Sequence, residues 1–165
     1  MKQSNTTLQA LKALKASLPR GKRLMAIDHG TKTLGLALSN PALTMATPLK
    51  TIRRTKFTQD MRALAVVAKE YEVGGFVIGL PLNMDGSSGG RVDSVRHFGD
   101  NLAAAAEIFG FAPPVAFWDE RLSTFAAEQL LIEDLNMSRE KRREIIDAQA
   151  AAQILQSALD ALAAG

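Results

Sequence analysis

The chain has 165 residues, of which 47% are hydrophobic and 22% charged, a composition that suits one folded domain with a sizeable core and argues against wholesale disorder. It contains no cysteine, so disulfide frameworks, thiolate metal sites and a cysteine nucleophile are excluded. Its two histidines argue against a multi-histidine zinc site, and its net charge of +3 is compatible with an anionic polymer as partner without demonstrating one.

The first twenty residues carry four leucines among lysines and polar residues, and they lack the continuous apolar core of a secretory signal. No run in the sequence approaches the length of a membrane span. We interpret residues 1–20 as a loosely attached extension, either flexible or a short amphipathic helix, and residues 21–165 as a single domain. We expect a soluble, cytoplasmic protein without a membrane partner, and the sequence leaves its oligomeric state open.

Three apolar segments separated by short turns open this domain. The first run ends at Asp28, the second extends from Leu34 to Ser39, and the third covers residues 46–52 with Pro48, which favours the edge of a sheet. Short turns between three consecutive strands predict an antiparallel meander.

Helices and strands alternate in the rest of the chain. Thr58 as N-cap and apolar residues at helical spacing predict a helix that ends at Gly74-Gly75, and the strand that follows it over residues 76–80 suggests a parallel crossover. The pattern then predicts a helix, a strand and two more helices, over residues 91–109, 115–118, 124–134 and 139–163. The expected fold class is α/β, with a five-stranded mixed sheet, three antiparallel strands and then two parallel ones, flanked by helices.

Three acidic residues stand where an unpaired charge is costly. Asp28 ends the first buried strand, Glu120 follows the last one, and Asp147 begins the helical stripe that should pack on the sheet. For Asp147, a salt bridge to an arginine such as Arg121 is the alternative. Together the three carboxylates can converge at one edge of the sheet, where divalent cations would neutralise them. An oxygen-rich site without cysteine suits Mg²⁺ or Mn²⁺, which support two-metal hydrolysis of phosphodiesters.

Candidate phosphate contacts occur in a loop and in two basic clusters. The loop over residues 83–90 opens a helix at Arg91, where backbone N–H groups and the helix dipole favour an anion, although such loops are often ordinary connections. The basic clusters are Lys50, Arg53, Arg54 and Lys56, and then Arg139, Lys141, Arg142 and Arg143. Each cluster is most often a solvated face, so the nucleic-acid binding that they suggest would be modest and sensitive to salt.

Five motifs follow one another between about residues 23 and 160. They are Ile27-Asp28-His29-Gly30-Thr31-Lys32 with Gly35, Ala46-Thr47-Pro48-Leu49, Gly79-Leu80-Pro81-Leu82-Asn83-Met84-Asp85-Gly86, Asp119-Glu120-Arg121-Leu122-Ser123-Thr124, and Asp147-Ala148 with Ala150-Ala151 and Ile154-Leu155-Gln156. In this order they resemble the YqgF family, also called RuvX. The resemblance implies an RNase H-like fold for residues 21–165. It also implies a metal-dependent endonuclease that matures the 5′ end of precursor 16S rRNA, with a Holliday junction resolvase acting on branched DNA as the alternative.

By the same resemblance, Asp28, Glu120 and Asp147 would be the catalytic acids that bind the metal. The residues that it implies for substrate contact are Lys32, Asn83, Arg91 and Arg121.

The chain departs from the family pattern at two places, and the family itself differs from many RNase H-like nucleases at a third. Thr33 follows Lys32 where relatives commonly have arginine, which removes one basic contact to phosphate. Gln149 stands where leucine is more usual. No acid ends the strand over residues 76–80, as one does in many RNase H-like nucleases, so Glu120 must reach over from the neighbouring strand.

Two functions of other kinds compete with a nuclease. Asp28-His29-Gly30-Thr31 followed by Gly35 also looks like the first phosphate motif of actin-like and sugar-kinase ATPases, but those enzymes close two lobes over the nucleotide and this chain supplies one. The other is a non-catalytic factor that binds nucleic acid or the ribosome and uses the acids structurally.

Overall fold

A mixed sheet with helices on both faces makes up the protein in the computed structural model, which describes residues 2–81, 90–120 and 138–165. The elements in these ranges are, in chain order, α1 (Lys2–Ser17), β1 (Arg23–His29), β2 (Thr33–Ser39), β3 (Ala46–Arg53), α2 (Phe57–Glu70), β4 (Val73–Leu80), α3 (Gly90–Ala103), α4 (Ala106–Phe109), β5 (Val115–Asp119) and α5 (Arg139–Ala164). None of these helices combines the length and the apolar character needed to cross a bilayer.

The five strands lie in the order β3-β2-β1-β4-β5. β1 pairs antiparallel with β2, and β2 with β3, whereas β4 runs parallel to both β1 and β5. This arrangement confirms the predicted meander and parallel crossover. Pro48 lies on the edge strand β3 beside a shift of register, where a missing N–H donor is tolerated.

The two faces of the sheet have separate apolar cores, and β1 contributes to both. Met25 and Ile27 join the core under α2 and α3, whereas Leu24 and Ala26 join the core under α1 and α5. Side chains alternate along a strand. The next residue, Asp28, therefore faces α5, and the one after it faces α3.

The extension before the domain is a packed helix. Leu11 and Leu14 of α1 are buried in the core that α5 also covers. A Cβ on Gly75 would lie 2.8 Å from Leu14 Cδ1, and one on Gly74 would lie 3.0 Å from Leu18 Cδ2. The two glycines were predicted to end a helix, but they lie inside β4. There they make room for α1 on the face of the strand.

Two helix boundaries differ from prediction. Helix α2 begins at Phe57 without a side-chain cap, and Thr58 lies inside it. The buried carboxylate of Asp60 instead accepts hydrogen bonds from the backbone N–H and the hydroxyl of Thr55, at 2.9 and 3.2 Å. The single helix predicted over residues 91–109 is interrupted after Ala103, and the separate turn α4 follows it. The helix predicted over residues 124–134 lies outside the described residues.

Helix α5 is pinned across the sheet by polar contacts along its length. Its Gln156 accepts a hydrogen bond from the backbone N–H of Ala46 at 2.8 Å, and its Ser157 accepts one from Trp118 Nε1 at 3.0 Å. Near its start, the carbonyl of Glu144 accepts a hydrogen bond from the Thr51 hydroxyl at 2.6 Å. These contacts fix the position of α5 along the strands, and therefore where its first turns pass the end of β1.

Candidate active site

Asp28 lies between two glycines on the face of the sheet that α5 covers. Gly35 is its partner across the antiparallel β1–β2 pair. On the other side, Gly79 follows Ile78, the parallel partner of Ile27. The carboxylate therefore has no side chain beside it on either neighbouring strand, so other elements can approach it.

The space beside each glycine is occupied by another acidic residue. A Cβ on Gly35 would lie 2.1 Å from the carbonyl oxygen of Asp147, and one on Gly79 would lie 2.8 Å from Oε1 of Glu120. Neither position has room for a side chain. The glycines thus let α5 and the residue after β5 bring their acids to the end of β1.

The pKa values of Asp28 and Glu120 are both raised. The pKa of Asp28 is raised from 3.8 to about 7, first by burial and then by the charges of Glu120 and Asp147 and a hydrogen bond with Glu120. The pKa of Glu120 is also raised, mainly by burial and less by the charge of Asp119. The guanidinium of Arg91 opposes both shifts. A hydrogen bond between the two carboxyls contributes to the rise in the pKa of Asp28 and opposes the rise in that of Glu120.

Asp147 has a different partner. Its Oδ2 accepts a hydrogen bond of 2.6 Å from the hydroxyl of Thr33, the first residue of β2. The acids are therefore arranged as a pair, Asp28 with Glu120, and a third carboxylate held by Thr33. Across residues 2–81, 90–120 and 138–165, no three acidic, histidine or cysteine side chains are grouped tightly enough to hold one ion as they stand.

The chemistry of these donors nevertheless fits a hard divalent cation. A proton shared by two buried carboxyls occupies a place of strong negative potential, and a cation that replaces it would relieve the same repulsion. The oxygen atoms that could hold such an ion belong to Asp28, Glu120 and Asp147, and carboxylate oxygens are the ligands that Mg²⁺ and Mn²⁺ prefer. The Asp28–Glu120 hydrogen bond would have to open for all three to contribute.

Two arginines hold the turn between β1 and β2. Arg91 Nη2 donates a hydrogen bond to the carbonyl of His29 at 2.5 Å, and Arg54 Nη1 donates one to the carbonyl of Gly30 at 2.6 Å. Both guanidinium groups thus lie beside the end of β1. Arg91 was predicted to contact substrate from the start of α3, and it lies there, close enough to act on the charges of Asp28 and Glu120.

A basic groove of about 660 Å³ runs between this turn, the end of β3 and the first turns of α5. Its cationic lining residues are Lys32, Arg53, Arg54, Arg139 and Arg143. Arg53 also forms a salt bridge with Glu140 that joins β3 to α5. An adjoining cavity of about 590 Å³ leads from Lys32 and Arg143 to Asp147. Two residues of each basic cluster, about ninety positions apart in the sequence, thus line one groove that leads to an acid.

Residues 22–161 match the family described as "RuvX: Holliday junction resolvase". The chain belongs to the RuvX family. Two relatives carry the name "Putative pre-16S rRNA nuclease". The one from Rhodospirillum centenum is 52% identical over 158 residues, which cover 96% of this chain and 84% of the relative. The one from Paramagnetospirillum magneticum is 52% identical over 147 residues, which cover 89% and 91%.

Among solved structures, T. thermophilus RuvC in complex with a Holliday junction substrate is 17% identical to this RuvX chain, with a TM-score of 0.51. The match covers 85% of this chain and 94% of that one. At this identity the likeness shows the fold alone. Together with the five-stranded mixed sheet, it confirms the predicted RNase H-like fold.

Of the site residues expected in this RuvX chain, five lie around the end of β1 or along the basic groove, and two lie outside the described residues. Those two are Asn83 and Arg121, together with most of the loop expected to bind an anion. Sequence reasoning missed Thr33, which it treated only as the loss of a basic residue. No local pattern identifies Thr33 as the partner of Asp147, because the two are 114 positions apart.

Proposed function

We propose that this chain is a metal-dependent endonuclease that hydrolyses phosphodiester bonds in precursor 16S rRNA. The observation that carries the proposal is the buried pair Asp28–Glu120 at the end of β1, with Asp147 beside it and a basic groove leading to it. The names of the two relatives support the substrate. A role on precursor rRNA would place the protein in the cytoplasm.

The three acids would hold the metal. Asp28, Glu120 and Asp147 would supply the carboxylate oxygens that bind Mg²⁺ or Mn²⁺. Bound there, such ions supply positive charge that activates the attacking water and stabilises the leaving oxygen. Thr33 would keep Asp147 in place through its hydrogen bond. Arg91 would offset negative charge when a phosphate approaches the acids.

The remaining expected residues would hold the substrate. Lys32 lines the basic groove and is exposed, so it can contact a phosphate without giving up a partner within the turn. The groove's other cations would follow the sugar-phosphate backbone, which carries most of the affinity in such complexes. Asn83 and Arg121 are proposed here on the family resemblance alone.

A Holliday junction resolvase is the second candidate, because the family as a whole is described in those terms. A basic groove contacts phosphates of RNA and DNA alike, and the groove residues given above do not include a reader of the 2′-hydroxyl. The choice of RNA therefore depends on the relatives.

A cleavage assay with two substrates tests the proposal. Wild type, in Mg²⁺ or Mn²⁺, should cut a precursor 16S rRNA fragment near the mature 5′ end and leave a four-way DNA junction intact. Asp28→Asn should cut neither. Cleavage of the junction alone would favour the resolvase. Tight RNA binding without cleavage by wild type would favour a non-catalytic factor, and hydrolysis of ATP instead would favour the ATPase class.

A further inference from the structure

A second groove, of about 740 Å³, lies on the other side of the β1–β2 turn from the basic groove. Its lining includes His29 and Thr31 from the turn region, Arg54 and Phe57 from the segment after β3, and Arg91 from α3. Thr31 and Arg54 line both grooves. The turn is therefore a ridge between the two, and a chain that crosses it passes from one groove to the other.

The floor of this groove contains a polar side chain that lacks a partner. His29 is 94% buried, and neither of its ring nitrogens has a hydrogen-bond partner among the residues that the structure describes. Its ring packs on Phe98, with centroids 4.6 Å apart. Both ring nitrogens are shielded from solvent, so the ring forms part of the groove's wall without offering a hydrogen bond to a ligand there.

The charges that line the groove suit an anion with a single phosphate. The guanidinium groups of Arg54 and Arg91 supply two positive charges, and both already donate to backbone carbonyls at its edge. Asp93 lines the same groove and supplies a negative charge. A carboxylate repels a polyphosphate, but it accepts hydrogen bonds from hydroxyl or amino groups.

An aromatic side chain completes the lining. Phe57 begins α2, is 40% exposed, and has its ring edge-to-face with Phe98 at 6.4 Å between centroids. A large apolar side chain that is exposed at the wall of a cationic groove offers a surface on which a nucleic-acid base can stack. Among the residues that the structure describes, none of those lining the basic groove is aromatic.

We infer that this second groove binds one nucleotide of a single RNA strand, with its base against Phe57 and its phosphate near Arg54 and Arg91. The inference rests on the proposed function, because it places this nucleotide across the β1–β2 turn from the backbone held in the basic groove. It adds that the substrate is unpaired at this position, since a base in a duplex cannot reach a side chain in this way.

The test measures the affinity of full-length protein for a labelled oligoribonucleotide, in an Asp28→Asn background that prevents cleavage. Phe57→Ala should weaken binding about tenfold, and Phe57→Trp should preserve it, since stacking on an aromatic ring dominates such contacts. Phe111→Ala is the matched control, because Phe111 is also 40% exposed but lines neither groove beside the turn. It should leave the affinity unchanged.

An oligomer that lacks bases separates stacking from contact with the backbone. Phe57→Ala and its parent should bind this oligomer equally, because only the contact with a base depends on the ring. Free nucleoside monophosphate, as a third ligand, reports whether the groove holds an isolated nucleotide or needs the strand.

Equal affinity of Phe57→Ala and its parent for the intact RNA would overturn the inference, and so would an equal loss on the oligomer without bases. Neither result depends on cleavage. If wild type cuts no RNA but the Phe57 dependence is found, the nuclease proposal fails and the nucleotide site stands.

Discussion

The raised pKa of Asp28 makes the cluster of acids at the end of β1 a source of instability once that carboxyl loses its proton. Asp28 has a pKa of about 7 in the folded protein against 3.8 as its ordinary value, so the folded state binds more protons between these limits. Its contribution to stability is fully present below pH 3.8 and is lost as the pH rises through 7. Above that pH the charge of Asp28 and the charges of Glu120 and Asp147 repel one another.

Asp28→Asn should therefore stabilise the protein in EDTA. The free energy of unfolding in urea should rise by about 2–4 kcal/mol at pH 8, and the gain should shrink as the pH falls towards 4. Adding Mg²⁺ should stabilise wild type at pH 8 and leave Asp28→Asn almost unchanged. A gain that is independent of pH would mean that repulsion among the acids is not its cause.

Thr33 is expected to act on the third acid. Thr33→Val removes the hydroxyl that donates to Asp147 and preserves the shape of the side chain. The apparent affinity for Mn²⁺, measured by calorimetry, should fall about tenfold, because a hydrogen bond to a charged group is lost. Thr33→Ser should restore it. If Val and Ser behave alike, the contact does not position Asp147 for binding a metal.

The approach of α5 to β2 depends on the absence of one side chain. In Gly35→Ala the new Cβ would lie 2.1 Å from the Asp147 carbonyl oxygen, so α5 must shift away from the sheet. Urea unfolding should show a loss of about 3 kcal/mol, and cleavage should be lost as Asp147 moves. Gly90→Ala, whose Cβ would meet no atom of the described residues within 4 Å, should alter stability by less than about 0.5 kcal/mol.

The sheet could be predicted from sequence because its signals are local. Apolar runs, short turns and a crossover helix gave five strands with the observed directions. The glycines at 74 and 75 were misassigned because their reason is tertiary: they receive α1, whose contacting leucines lie about sixty residues earlier. Helix α2 differs from the prediction for a local reason, because Asp60 binds Thr55, five residues earlier, in place of the expected cap at Thr58.

Part of the site could be predicted because an acidic residue within an apolar sequence pattern requires an explanation. Asp28 and Asp147 stood out because each interrupts an apolar pattern. The partner of Asp28, Glu120, could not be deduced because it depends on which strands adjoin β1. The partner of Asp147, Thr33, could not be deduced because it depends on where α5 lies along the strands. The second groove was equally hidden, because it combines residues from β1, α2 and α3.

The acids lie at the end of the central strand β1, and the two grooves adjoin each other at the β1–β2 turn. If the basic groove holds the backbone, replacing two of its cations should reduce the salt dependence of RNA binding. Arg139→Gln with Arg143→Gln should lower the slope of log affinity against log salt by about 1.4, since each phosphate contact to a single strand contributes about 0.7.

The control for this variant removes the same charge elsewhere. Arg62→Gln with Lys69→Gln changes two exposed residues of α2 that line neither groove beside the turn. It should leave the slope unchanged. Equal effects of the two double variants would show that net charge, rather than the groove, determines binding.

Diffraction at a wavelength that excites manganese, from crystals soaked in Mn²⁺ near pH 8, would show whether the three acids bind a metal. We expect anomalous density among the carboxylates of Asp28, Glu120 and Asp147, with the Asp28–Glu120 hydrogen bond opened. We expect no such density in Asp28→Asn. Manganese bound only elsewhere, with that hydrogen bond still closed in wild type, would contradict this expectation.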